Sequence, residues 1–223
     1  MKVPSPAVTS NTPRALRLPK AAAVPGSKLK LPEPKASRDA TLRLALERRR
    51  SVRDYSAEPI TVQQVSQMLW AAQGITAPSG LRTAPSAGAV FPVKLYLVAS
   101  RVDGIPPGFY SYDVEERSLT MLQEGDKQEL LSKVCMDQQC VADSACALLL
   151  TAWYGRVRRE FGGAAEKLVL LEAGHIGQNW HLQAAALGLG SISIGKWDTT
   201  AMKMLLPMPR DEEPVYLLLA GRP

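Results

Sequence analysis

Four arginines and a serine crowd into six residues, Arg48-Arg49-Arg50-Ser51-Val52-Arg53, with Asp54-Tyr55 directly behind them. A guanidinium offers a planar fork of N–H donors and a serine hydroxyl adds a short neutral one, which together suit a phosphate group. Each charge-assisted bond contributes roughly 1.5–3 kcal/mol when partly desolvated. A solvated basic face at a helix C-terminus, favoured by the helix dipole, is the plain alternative for the same residues. A second stretch, Arg82-Thr83-Ala84-Pro85-Ser86-Ala87-Gly88-Ala89-Val90-Phe91-Pro92, brings small residues up to a strand. Small side chains let a backbone come close to a flat ring, whose edge the exposed amides and carbonyls can then read. Neither familiar nucleotide loop is present. The pattern GxxxxGK[ST] is missing, and the GLGS at Gly188–Ser191 ends a helix where a dinucleotide GxGxxG would open one.

No metal chemistry is expected. His175 and His181 stand six apart and so on different faces of one helix, and Cys135, Cys140 and Cys146 form neither a CxxC pair nor an even disulfide set. The thiols read as ordinary reduced cysteines.

The elements that must hold these residues follow from periodicity. A helix begins near Asp39, runs through Leu42, Leu44, Ala45 and Leu46 to about Arg50, and delivers the arginines at its end. Thr61 opens a second helix as a capping box with Gln64, and Val62, Val65, Met68, Leu69 and Ala72 share one face until Gly74. Residues 75–92 form an aperiodic loop, long enough to call for a function. Strands are expected at Val93–Ala99, Phe109–Asp113 and Ser118–Leu122, the last two as a hairpin. A short helix covers Lys127–Val134, and the apolar run Ala145–Trp153 is a central strand buried on both faces. Ala164–Leu187 is a long helix charged only at Glu166, Lys167 and Glu172, and therefore covered on most sides by its own domain or another subunit. Gly188 and Gly190 end it, Ser191–Ile194 are extended, Asp198 caps a helix to Leu206, and Val215–Ala220 form the last strand. The class is α+β, one domain of helices on a mixed or antiparallel sheet.

At 223 residues there is room for one domain and a tail. The net charge of +6 is localised: residues 1–38 hold eight Lys/Arg against one Glu, so the remaining chain sums to −1. Those residues also hold seven of the seventeen prolines, which makes 1–38 a basic, extended or disordered arm and 39–223 the folded domain. The basicity thus belongs to the arm, and no finger, helix-turn-helix or aromatic RNA-binding pattern points to nucleic acid. Met1–Ser10 lacks the apolar stretch of a secretory signal and no run is long enough to span a membrane, so a cytoplasmic location is expected.

Three blocks, RRRSVRDYS at Arg48–Ser56, APSAGAVFPVKLYLV at Ala84–Val98 and EAGHIGQNWHLQAAALGLGSISIG at Glu172–Gly195, together resemble the nitroreductase superfamily of flavin enzymes. The resemblance runs from about Leu29 to the closing VYLLLAGRP and is strongest to the azoline dehydrogenases of the streptolysin-S (SagB) type. It implies a nitroreductase-like fold and an intertwined homodimer with FMN at the subunit interface. Arg49, Ser51 and Arg53 would hold the phosphate and ribityl chain, with Arg50 contributing mainly backbone. Pro85, Ser86, Ala87 and Gly88 match the loop that approaches the isoalloxazine from the other subunit. Gly195 and Lys196 match the segment whose backbone N–H faces flavin N5, and Arg222 would add a phosphate contact.

The implied function is two-electron, ping-pong hydride transfer through flavin N5. Its substrate is either a small molecule reduced at the expense of NAD(P)H or a modified peptide whose heterocycle is oxidised. Tyr110, Tyr154, His175, His181 and Lys196 are candidates for proton relay, and Trp197 for the substrate wall. The competing reading is a flavin-holding or partner-binding subunit without turnover.

Overall fold

The computed structural model of the protein describes residues 24–35 and 41–223. In chain order these form β1 (Lys28–Lys30), α1 (Leu42–Arg48), β2 (Ile60–Thr61), α2 (Val62–Gln73), β3 (Val93–Ala99), β4 (Val102–Asp103), β5 (Gly108–Asp113) and β6 (Ser118–Glu124). There follow α3 (Gln128–Val134), α4 (Gln139–Ala142), β7 (Cys146–Trp153), α5 (Tyr154–Phe161), α6 (Ala165–Ala186), β8 (Gly190–Ile194), α7 (Thr199–Leu205) and β9 (Glu212–Gly221). Seven strands make one sheet in the order β1-β6-β5-β3-β7-β9-β8, and every neighbouring pair in it is antiparallel. Parallel pairing occurs in the two-residue β2–β4 ladder outside that sheet and in a bridge from Ser51 to Ser191 at its edge.

Alternation along each strand sorts the core into two layers. Leu95 and Leu97 of β3, Leu148 and Leu150 of β7 and Leu218 of β9 face α2 and α6, burying Met68, Leu69, Ile176 and Trp180. Tyr96, Val98, Leu149, Leu217 and Leu219 face the other way, against Leu131 of α3, Val141 of α4 and Met202 of α7. The central strand β7 serves both layers, which is why all of it but Trp153 is buried.

Local signals set the helix ends. Thr61 Oγ1 accepts from Gln64 N–H at 3.2 Å while Gln64 Oε1 accepts from Thr61 N–H at 2.9 Å, a reciprocal capping box. Gly188, at φ 70°, closes α6 with a Schellman motif: Leu189 N–H donates to Ala184 O and Gly188 N–H to Ala185 O. Two expectations shift. Helix α1 starts behind Thr41, whose hydroxyl accepts from Leu44 N–H, and ends at Arg48 because Arg49 turns extended; Asp39 lies outside the described residues. The tail of the basic arm also belongs to the sheet. Leu29 pairs with Leu119 of β6 and Leu31 is buried, while Lys28 and Lys30 between them reach Glu116. Alternating leucines and lysines suit an edge strand. The rest of the arm, 1–23 and 36–38, lies outside the described residues, as do 39 and 40.

Candidate cofactor site

Past α1 the chain runs extended along the outer edge of β8. Ser51 bridges to Ser191, and Val52 N–H donates to Ser191 O at 3.0 Å. In an extended segment alternate side chains share a face, so Arg49, Ser51 and Arg53 point together while Val52 turns to the sheet. Val52 and Tyr55 lie against Gly190 and Gly221, where no Cβ stands in the way. Arg50 behaves differently: its Nη1 donates to the Glu47 and Arg49 carbonyls. Among the described residues Arg49 and Arg53 form no ion pair with a carboxylate. Adjacent unpaired guanidiniums with a hydroxyl between them are a donor set with unspent charge. A phosphomonoester, carrying about −1.5 to −2 charges near neutral pH, fits it.

His181 of α6 lies beneath this segment. Its Nδ1 is 2.9 Å from Ser191 Oγ and its Nε2 3.2 Å from Ser193 Oγ. Burial first, and the charge of Arg49 second, push its pKa down to about 4. The ring is therefore neutral at physiological pH and does not add to the positive field. From Ser191, β8 climbs about 13 Å to Gly195 and Lys196, both exposed.

The small-residue loop is built elsewhere. Gly88, Ala89 and Phe91 hold left-handed φ values of 57°, 52° and 48°, two of them at residues with a Cβ. Ser86 Oγ accepts from Phe91 N–H at 2.9 Å, and the Ser86 hydroxyl and the Val93 amide lie close enough to the buried Glu172 carboxylate to favour its charged form. Burial raises the Glu172 pKa, with these groups and Arg82 opposing the rise. The Ser86 hydroxyl is thus committed inside the chain, and what the loop presents outward is the backbone of 85–88.

Glu172 and His181 lie nine residues apart on α6, about two and a half turns and 13.5 Å, hence on opposite flanks of the helix. Between the flanks runs an exposed stripe that includes Lys167, Leu171, Gly174 and Gln178. One chain therefore brings Arg49, Ser51 and Arg53 together and gathers Pro85–Gly88 separately, without joining the two groups.

The remaining candidates scatter. Trp197 is half-buried on the α3/α7 side of the sheet, whereas Tyr154 packs on the α6 side under the Arg158 guanidinium, 5.1 Å from its ring centre. Burial raises the Tyr154 pKa. Tyr110 is buried with its hydroxyl donating to Pro106 O, and His175 is exposed. Arg222 turns toward Glu58 and donates Nε–H to Pro59 O at 3.0 Å. The cysteines are free and buried, with burial pushing the Cys135 and Cys146 thiols up to about 12. Reasoning from sequence missed Gln73 and Arg82 as neighbours of Glu172; an acid in the apolar middle of the helix was the available signal.

A model described as the nitroreductase family matches residues 46–222. A Methanocaldococcus jannaschii protein assigned to the nitroreductases is 34% identical over 175 residues, covering 78% of this chain and 87% of that protein. A solved structure from Anabaena variabilis, also assigned as a nitroreductase, superposes with a TM-score of 0.80 at 23% identity over 88% of this chain; the match spans 42% of that longer chain. The Escherichia coli microcin synthetase McbBCD complex, with truncated pro-MccB17 bound, superposes with a TM-score of 0.71 at 17% identity, covering 79% of this chain and 69% of that one. Among the described residues no helix is long and apolar enough to cross a membrane.

Proposed function

The chain belongs to the nitroreductase family of oxidoreductases, and from that premise we propose that it is a cytoplasmic, homodimeric FMN enzyme carrying out two-electron, ping-pong hydride transfer. The observation that carries this reading is the row Arg49, Ser51 and Arg53, side by side on the edge of β8 and free of described carboxylates. When bound, FMN supplies the hydride-accepting and hydride-donating chemistry. Arg49, Ser51 and Arg53 hold its phosphate and ribityl chain, and Arg50 contributes backbone; Arg222, engaged with Glu58 and Pro59, is not part of this set. Gly195 and Lys196 donate backbone N–H toward the ring, and the Lys196 charge favours the anionic reduced form. Trp197, on the chain just past Lys196, lines the substrate side. A second copy of the chain supplies Pro85–Gly88; the separation of that loop from the arginines across α6 and the exposed stripe between them support the dimer.

The substrate is either a small acceptor, reduced at the expense of NAD(P)H, or a peptide azoline that is oxidised. The likeness of the matched blocks to azoline dehydrogenases supports the second direction. The test is direct: purify the protein, record the flavin absorption bands, and add NADH, NADPH or an azoline peptide without oxygen. Bleaching by a nicotinamide or by the peptide assigns the direction. Bound flavin that no donor bleaches identifies a flavin-holding subunit, and colourless protein that takes up no FMN overturns the proposal.

A further inference from the structure

Glu172 lies on a chain of contacts that joins both ends of the small-residue loop. Its Oε1 lies 3.4 Å from Gln73 Nε2, and Gln73 Oε1 in turn accepts from Arg82 Nη1 at 2.9 Å. The Arg82 guanidinium stacks 4.4 Å from the centre of the Phe91 ring. Phe91 N–H donates to Ser86 Oγ at 2.9 Å, and Ser86 lies near enough to Glu172 to favour its charged form. The chain of contacts therefore passes from α6 to α2, to the start of the loop, to its end and to its middle, which faces back toward α6. Glu172 and Gln73 are both buried, and the Val93 amide, where β3 begins, also favours the charged carboxylate.

Such a chain of contacts has work to do. Ala89 and Phe91 sit in the left-handed region, where a Cβ crowds its own backbone, and such conformations persist only where the surroundings over-determine them. A hydrophobic clamp would not fix a backbone to the accuracy that reading the edge of a ring requires; oriented hydrogen bonds to a buried acceptor do. Nothing else described in α6 touches the loop in this way, and a glutamate in the middle of a buried helix face needs such a purpose to offset its desolvation.

We propose that Glu172 is the positioning residue of the flavin-facing loop, acting through Ser86 and Val93 to hold residues 85–91 in their strained shape. This rests on the flavin reading for its consequence but not for its first measurement. In the flavin-free full chain, hydrogen exchange of the Phe91 and Val93 amides is compared between the wild type, E172A, E172Q and S86A. E172A and S86A are expected to speed exchange at Phe91 by up to about tenfold, the scale of one lost neutral hydrogen bond, with β7 unchanged. E172Q keeps an acceptor oxygen and is expected to restore most of the protection.

FMN is then titrated into each protein, and the rate of flavin reduction is measured at saturating donor. E172A and S86A are expected to lower that rate more than they raise the KM of the donor, with rescue by E172Q. A lowered melting temperature with unchanged exchange at Phe91 overturns the proposal, as does a loosened loop with wild-type flavin affinity and reduction rate. If the wild type takes up no FMN, the flavin reading fails while the exchange measurement still decides whether Glu172 shapes the loop.

Discussion

Gly190 and Gly221 face one another across β8 and β9, and the segment carrying the arginines lies on the bare surface they share. A Cβ on Gly190 would stand 2.7 Å from Val52 Cγ1, and one on Gly221 would stand 2.8 Å from Tyr55 Cδ1. The pair allows a backbone to lie flush on the sheet, and the direction of Arg49, Ser51 and Arg53 follows from that fit.

Gly190→Ala forces Val52 off the sheet. It is expected to cost about 1–3 kcal/mol of stability, as overpacking of a filled site does, and to weaken FMN binding alongside. Gly163→Ala, where an added Cβ meets nothing within 4 Å, is the control and leaves flavin affinity unchanged. Chemical denaturation and a fluorescence titration measure both.

Arg49→Ala and Arg53→Ala are each expected to weaken FMN binding by on the order of 1.5–3 kcal/mol. The loss is larger at low salt, where screening is weak. Titrations at two ionic strengths check this; equal affinity in both variants would show the row to be ordinary surface.

His181 makes stability depend on pH. Its folded pKa of about 4 lies below its ordinary 6.5, so the unfolded chain takes up the proton first. The stabilisation is complete above 6.5 and is lost as pH falls through about 4. The loss amounts to roughly 3 kcal/mol at most, less for the ring's partial exposure. His181→Gln is expected to flatten the curve over that window, as read by denaturation midpoints at successive pH values.

Thr61→Ala removes one half of the α2 capping box and is expected to cost about 1 kcal/mol. Because the cap lies at the far end of α2 from Gln73, FMN affinity is expected to hold. Urea denaturation and the same titration separate the two effects.

Short-range chemistry made much of this fold readable in advance. The Thr61–Gln64 box, the Gly188 stop, the apolar and β-branched run of Val93–Ala99 and the unbroken apolar run of β7 are each stated within a few residues. Helix α5 was missed because it is only eight residues long and rich in arginine, although Tyr154, Val157 and Phe161 share its core-facing side. At the site, the types and spacing of Arg49, Ser51 and Arg53 marked them as candidates for a phosphate, and their common extended segment could be read in advance. What could not be read was tertiary: that Ser86 lies near a carboxylate far along the chain, that His181 lies under Arg49, and that Arg222 turns to Glu58. Those facts depend on which strands and helices meet.

The placement of the arginines and the small-residue loop on opposite flanks of α6 has a genetic corollary. In the proposed dimer each reaction centre draws one group from each chain. Two defective alleles, one lacking Arg49 and Arg53 and the other crippled in Pro85–Gly88, can then rescue one another when co-expressed, because a mixed pair contains one centre built entirely from undamaged parts. Either allele expressed alone stays dead, yet beside a normal copy every mixed pair keeps one intact centre for each normal chain, so such lesions should behave as recessive.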